Sequence, residues 1–189
     1  MKGLDAAQRT TGGTAGLTGL MGLQAWVWTA SVLPKVTSAT FLSGFSRFVG
    51  TAPPTRPALY GHVVAPIILA APGLFAVGAL ATELALAATF VVATVALLRR
   101  PRSTPRRVLA VAAGASLVAA GFALNLALLV GDAAPWRLGD PFDSGVAVEY
   151  LLVGLGLVTA ACALVTIRAS ARQQAPARAD RDWRMADTA

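Results

Sequence analysis

Residues 73–98 read GLFAVGALATELALAATFVVATVALL, an apolar run with one charged side chain, Glu83, and no basic residue before Arg99. At about 1.5 Å of rise per residue, about 20 apolar residues cross the roughly 30 Å hydrocarbon core of a bilayer, so the run is long enough to span one as a helix. Glu83 then lies near mid-depth, where a carboxylate is costly and usually faces a bundle interior and a partner. Two readings of it stay open. It is either a protonated acid that hydrogen-bonds a neighbouring helix and holds the bundle together, or a group that serves a ligand, a proton or a quinone.

Composition points the same way: 56% hydrophobic residues, 13% charged residues and a mean hydropathy of +0.64 over 189 residues suit an integral membrane protein, not a soluble domain. The net charge of +7 is not a nucleic-acid footprint, because the sixteen Lys and Arg residues lie between apolar runs instead of along one face. Cys162 is the single cysteine, so no internal disulfide or CxxC pair exists in this sequence.

Outward from the central run, three more apolar runs emerge. Residues 14–33 form the first, with Gln24 inside and Trp26 and Trp28 marking an interface near its far end. It is read as a retained span and not a signal peptide, because it lacks a small-x-small site before a polar start. Residues 108–130 form the third and 145–167 the fourth, with Gly114, Ser116, Gly121, Gly154 and Gly156 allowing close helix approach. A polar head, 1–13, and a basic tail, 169–189, flank the membrane domain of 14–168 and are expected to be disordered. Between the first two spans, FLSGFSRFVG places Phe41, Phe45 and Phe48 at helical spacing, which suits a short interfacial helix. Pro66 and Pro72 argue against one helix from Tyr60 to Leu98, so a short re-entrant or interfacial piece, holding His62, should lead into the second span.

With both termini cytoplasmic, twelve of the sixteen basic residues fall inside and four outside, five of the twelve in RRPRSTPRR at 99–107. The expected fold class is therefore all-α, an integral membrane four-helix bundle of the cytoplasmic (plasma) membrane. Lys35, His62, Asn125 and Glu149 then lie at or near the outer face, with Glu83 deeper. One histidine in a loop cannot supply a bis-His haem site, and no ligand spacing for a metal is present. No P-loop, nucleophile elbow or dinucleotide motif is found either. An acid such as Glu83 beside an Asn donor, Asn125, and aromatic walls is suited to hold a quinone headgroup and take up its protons, although many membrane bundles contain such a pair.

The order Trp28-Thr-Ala-Ser31-Val-Leu-Pro-Lys35, then Phe41, then Glu83-Leu-Ala-Leu-Ala87, an arginine turn, and a third helix ending in Asn125 before an acidic loop resembles the DoxX/DoxD family of small four-helix membrane proteins. The similarity covers roughly residues 15 to 168. The resemblance implies a membrane subunit of the kind associated with thiosulfate:quinone oxidoreductase or with thiol redox stress complexes, with Lys35, Glu83 and Asn125 as the positions carried over. The expected site is thus Glu83 as the catalytic group, with Lys35, Asn125, Glu149 and Trp28 binding substrate or quinone, and no metal or haem. A partner subunit or a second copy is expected beside membrane lipid. A non-catalytic scaffold or anchor that recruits partner proteins is the alternative. Small-molecule transport is weaker, since no inverted repeat or broken-helix pair is visible.

Overall fold

A computed structural model describes the backbone of residues 2–51, 56–99, 104–131 and 148–186, and the side chains of 15–51, 56–99, 104–131 and 148–171. Pro53, Pro54, Arg100, Arg102 and the loop bearing Asp132, Trp136, Arg137, Asp140 and Asp143 lie outside the described residues.

The described residues are helical throughout, with no strand among them. Helix α1 spans Lys2–Thr37, α2 Phe41–Gly50, and a π-helical turn, Tyr60–Val64, runs into α3, Ala65–Ala70. Helix α4 spans Pro72–Arg99, α5 Arg106–Val130 and α6 Val148–Ala186. Helices α4 and α5, together with residues 148–171 of α6, are long and apolar enough to cross a membrane, and even in the most covered of the three only 39% of the apolar window is buried. Val91, Val92, Val118, Val158 and Val165 are among the large side chains left outside. A surface of that kind is stable against lipid, so the chain is a helical membrane protein.

The boundaries follow local chemistry. Pro72 opens α4, where its missing N–H is no loss, and the chain bends at Ala71, whose carbonyl accepts from Leu74 (3.1 Å) and Phe75 (3.3 Å). The break expected from Pro66 and Pro72 is therefore present as α3, the bend and then α4. Pro34 behaves differently. It sits inside α1 and has no N–H for the carbonyl one turn back, yet the helix continues for three residues and Thr37 Oγ1 donates to the Leu33 carbonyl at 2.9 Å. Helical backbone runs from Lys2 through α1 and on to Ala186 in α6.

Helix α5 ends at Gly131, which has φ +84 and donates its N–H to the Ala127 carbonyl at 3.0 Å. That left-handed geometry favours glycine. A Cβ there would also lie 2.8 Å from the Arg56 backbone nitrogen.

Helices α1 and α4 run antiparallel, with Gly22 beside Thr94 at one end and Lys35 beside Glu83 at the other. Helices α5 and α6 pack along each other through small residues: a Cβ on Gly156 would come within 2.7 Å of the Ser116 carbonyl oxygen and 2.9 Å of Ala120 Cβ. The main core joins Leu17, Met21, Trp28, Phe90 and Leu97 to alanines of α5 and to Ala163 of α6. A smaller core of Phe45, Val49, Ala65, Ile68, Ala76 and Leu129 seats α2 and α3 against the ends of α4 and α5.

Candidate functional site

Four residues of α1, Gln24, Trp28, Ser31 and Lys35, follow one another at spacings of four, three and four, which places them on one helix face. That face meets α4 at Glu83, which is buried. Lys35 Nζ donates to Glu83 Oε1 and, at 2.6 Å, to Oε2, so the pair is a two-pronged ion pair linking the two helices. Ser31 Oγ accepts from Lys35 Nζ at 3.0 Å and donates to Glu83 Oε2 at 3.2 Å. Every oxygen of the buried carboxylate therefore has a donor, the condition under which a charge is tolerated away from water. The lysine reaches Glu83 from a position near the end of α1, its methylenes passing apolar surface while the ammonium finds the acid.

About two turns from Lys35 on the same face, Trp28 Nε1 donates to Gln24 Oε1 at 2.9 Å. Gln24 Nε2 is buried with no acceptor. Trp28 itself packs against Phe122, ring centroids 5.9 Å apart.

The ion pair forms one wall of a cavity of about 640 Å³ at the end of the bundle where α1 finishes, α4 begins, α5 finishes and α6 begins. Trp26, Trp28, Phe41, Phe45 and Phe48 line it with aromatic rings, Leu126, Val130 and Leu152 with aliphatic surface, and Ser31, Lys35, Glu83 and Glu149 with polar groups. A volume in the range of about 300–1,000 Å³ with mostly apolar walls and a few converging polar groups is what a small-molecule site requires. The spacing of Phe41, Phe45 and Phe48 is explained by it: they stack along α2 at 6.3 and 6.4 Å between neighbouring centroids and turn toward the cavity.

Of the residues singled out in the sequence, Glu83, Lys35, Trp28 and Glu149 are brought to this one cavity. Asn125 is not. It is exposed, donates to the Gly121 carbonyl at 2.8 Å and accepts from Tyr60 OH at 2.7 Å, which ties the π-helical turn to α5. His62 is exposed on that turn. Ser31 and Gln24 were not singled out as site residues, although their register with Trp28 and Lys35 was available in the sequence. Among the described residues no group of three His, Cys, Asp or Glu side chains is placed to hold a metal ion.

Arg56 spans two helix ends. Its Nε donates to the Leu129 carbonyl of α5 and its Nη2, at 2.7 Å, to the Val49 carbonyl of α2. Burial draws this guanidinium below the usual arginine range, and it stays charged at neutral pH. No family model, curated protein or solved structure matches the chain.

Proposed function

We propose that this chain is the membrane subunit of a quinone-linked redox complex, in which the cavity at the end of the bundle binds the quinone headgroup. The observation that carries the reading is the Ser31–Lys35–Glu83 group set in an otherwise apolar, aromatic-walled cavity. The residues present fit such a molecule. Rings of Trp28, Phe41 and Phe45 suit its flat face, and the Lys35 ammonium is a donor for a carbonyl oxygen. When bound, the quinone would supply the capacity to accept two electrons and two protons. Glu83 would take up a proton from the aqueous side and pass it to the reduced headgroup, Lys35 would offset the charge of the carboxylate left behind, and Ser31 would fix the orientation of both. Electrons would come from a sulfur compound such as thiosulfate or from a partner subunit, in keeping with the resemblance to the DoxX/DoxD family.

In this reading α1 is a fourth span beside the three long apolar helices, both termini are cytoplasmic, and the membrane is the cytoplasmic one. Arg99 at the end of α4 and Arg106 and Arg107 at the start of α5 lie at the end of the bundle opposite the cavity, so the positive-inside rule turns the cavity toward the outer face, with α2 along the interface.

The test compares thiosulfate-dependent reduction of a short-chain quinone by membranes containing the wild type or Glu83→Gln at matched abundance, with candidate partner proteins supplied. Loss of turnover with assembly retained supports the redox reading. A second reading, a scaffold without chemistry, is favoured by the fact that the same ion pair bridges α1 and α4. Loss of assembly in Glu83→Gln, with no quinone reduction in the wild type, would establish the scaffold in place of the redox subunit.

A further inference from the structure

The cavity carries one charge that the quinone reading leaves idle. Lys35 and Glu83 neutralise each other within the ion pair. Glu149, in the first turn of α6, lines the same cavity and has neither hydrogen bond nor ion pair among the described residues. Among the described residues of the lining, Lys35 is the one basic side chain. Arg56 is not among them and is committed to the Val49 and Leu129 carbonyls.

A half-buried carboxylate without a partner, facing apolar walls, is favourably occupied by a cation, because poor solvation strengthens the attraction. The walls add a second preference of the same sign. Trp26, Trp28, Phe41, Phe45 and Phe48 present aromatic rings, and ring faces attract a cation by their quadrupole, most strongly where it is desolvated. Among the described residues an inorganic cation would find Glu149 as the one carboxylate not already paired and no ring of oxygen ligands such as Ca²⁺ or Mg²⁺ takes. A cation wrapped in hydrocarbon satisfies the carboxylate, the ring faces and the apolar walls together.

We propose that this cavity binds lipophilic organic cations, with Glu149 as the counter-ion and the aromatic rings of α1 and α2 as the wall that holds the charge. The ligand class is a quaternary ammonium, phosphonium or protonated amine carrying aromatic or alkyl groups, entering a volume of about 640 Å³. The inference does not depend on quinone binding, since a quinone is neutral and engages Lys35 and Glu83.

The experiment titrates the purified full chain in detergent with tetraphenylphosphonium and with tetraphenylborate, two ions of one shape and opposite charge, following tryptophan fluorescence and equilibrium dialysis. Saturable phosphonium binding is expected, with borate weaker by about tenfold or more. Glu149→Gln should lower phosphonium affinity by about tenfold and leave borate unchanged or improved. Equal binding of the two ions by the wild type, absence of saturable phosphonium binding, or full phosphonium affinity in Glu149→Gln would each overturn the proposal. If that variant does not fold, the comparison of the two ions on the wild type decides alone. A short-chain quinone titrated into the same preparation separates the two readings: binding of phosphonium without quinone defeats the quinone reading, and binding of quinone without phosphonium defeats this one.

Discussion

The α1/α4 and α5/α6 seams are both antiparallel helix contacts in one bundle, yet they are closed by opposite means. Between α5 and α6 the backbones approach until a single added methyl at Gly156 would overlap Ser116 and Ala120. Between α1 and α4 there is more room: a Cβ on Gly22 would meet Thr94 Cγ2 at an ordinary 3.8 Å, and the far end is held by Lys35, Ser31 and Glu83. In lipid there is no hydrophobic drive to bring helices together, so close packing and polar ties are the two means of association. Here each seam uses mainly one of them. Both seams run out into the cavity at one end, but only the polar seam brings an ion pair to its wall.

The sharpest way to break this contrast is Lys35→Met. Removing one partner leaves a buried carboxylate uncompensated, and the expected loss is about 3–5 kcal/mol in reversible unfolding in detergent micelles. Combining it with Glu83→Leu should return most of that loss, because two apolar groups replace the pair. A single-variant cost below about 1 kcal/mol would show that the polar tie does not close the seam. The next largest effect is on the other seam. Gly156→Val should cost about 1–3 kcal/mol by forcing α5 and α6 apart, while Gly22→Ala should be neutral or stabilise by up to about 1 kcal/mol through helix propensity. Equal penalties at the two glycines would mean that the seams do not differ. Smaller still, Tyr60→Phe should cost about 0.5–1 kcal/mol and Asn125→Ala, which also loses its bond to Gly121, about 1–2 kcal/mol, with the double variant no worse than Asn125→Ala alone because the two share one hydrogen bond. At the bottom of the scale, Gln24→Leu loses the bond to Trp28 but also removes an orphaned buried amide, so its net effect on unfolding should stay within about 1 kcal/mol.

The sequence and the structure agree where one residue type carries the signal by itself. Long runs without charge announced α4, α5 and α6, and Pro72 announced the break before α4. Phe41, Phe45 and Phe48 announced α2 because three large rings at helical spacing need a surface to cover. Pairings across the bundle were harder. Nothing local tells Glu83 that its partner lies on α1, 48 positions away, because that contact depends on how far the two helices slide past each other. Asn125 shows the other difficulty: a polar residue in an apolar run looks like a site residue, and the run does not reveal that its amide bonds Gly121 and Tyr60. Ser31 and Gln24 were readable only once the face of α1 containing Lys35 was known to be the one turned inward. Pro34 leaves the Ala30 carbonyl without its helical donor, but so close to the end of α1 the helix still runs three residues further, to Thr37.

The two carbonyls held by Arg56 bear on the order in which the protein is made. Val49 precedes that arginine by seven residues, but Leu129 follows it by 73, at the far end of α5. A ribosome must therefore release two more long helices before the second acceptor exists. The contact between Lys35 and Glu83 can form as soon as α4 is delivered, but the tie from Arg56 to α5 can close only afterwards. A chain halted before Leu129 would carry the ion pair and lack that tie, so the α1/α4 seam can form before the bond that joins Arg56 to α5.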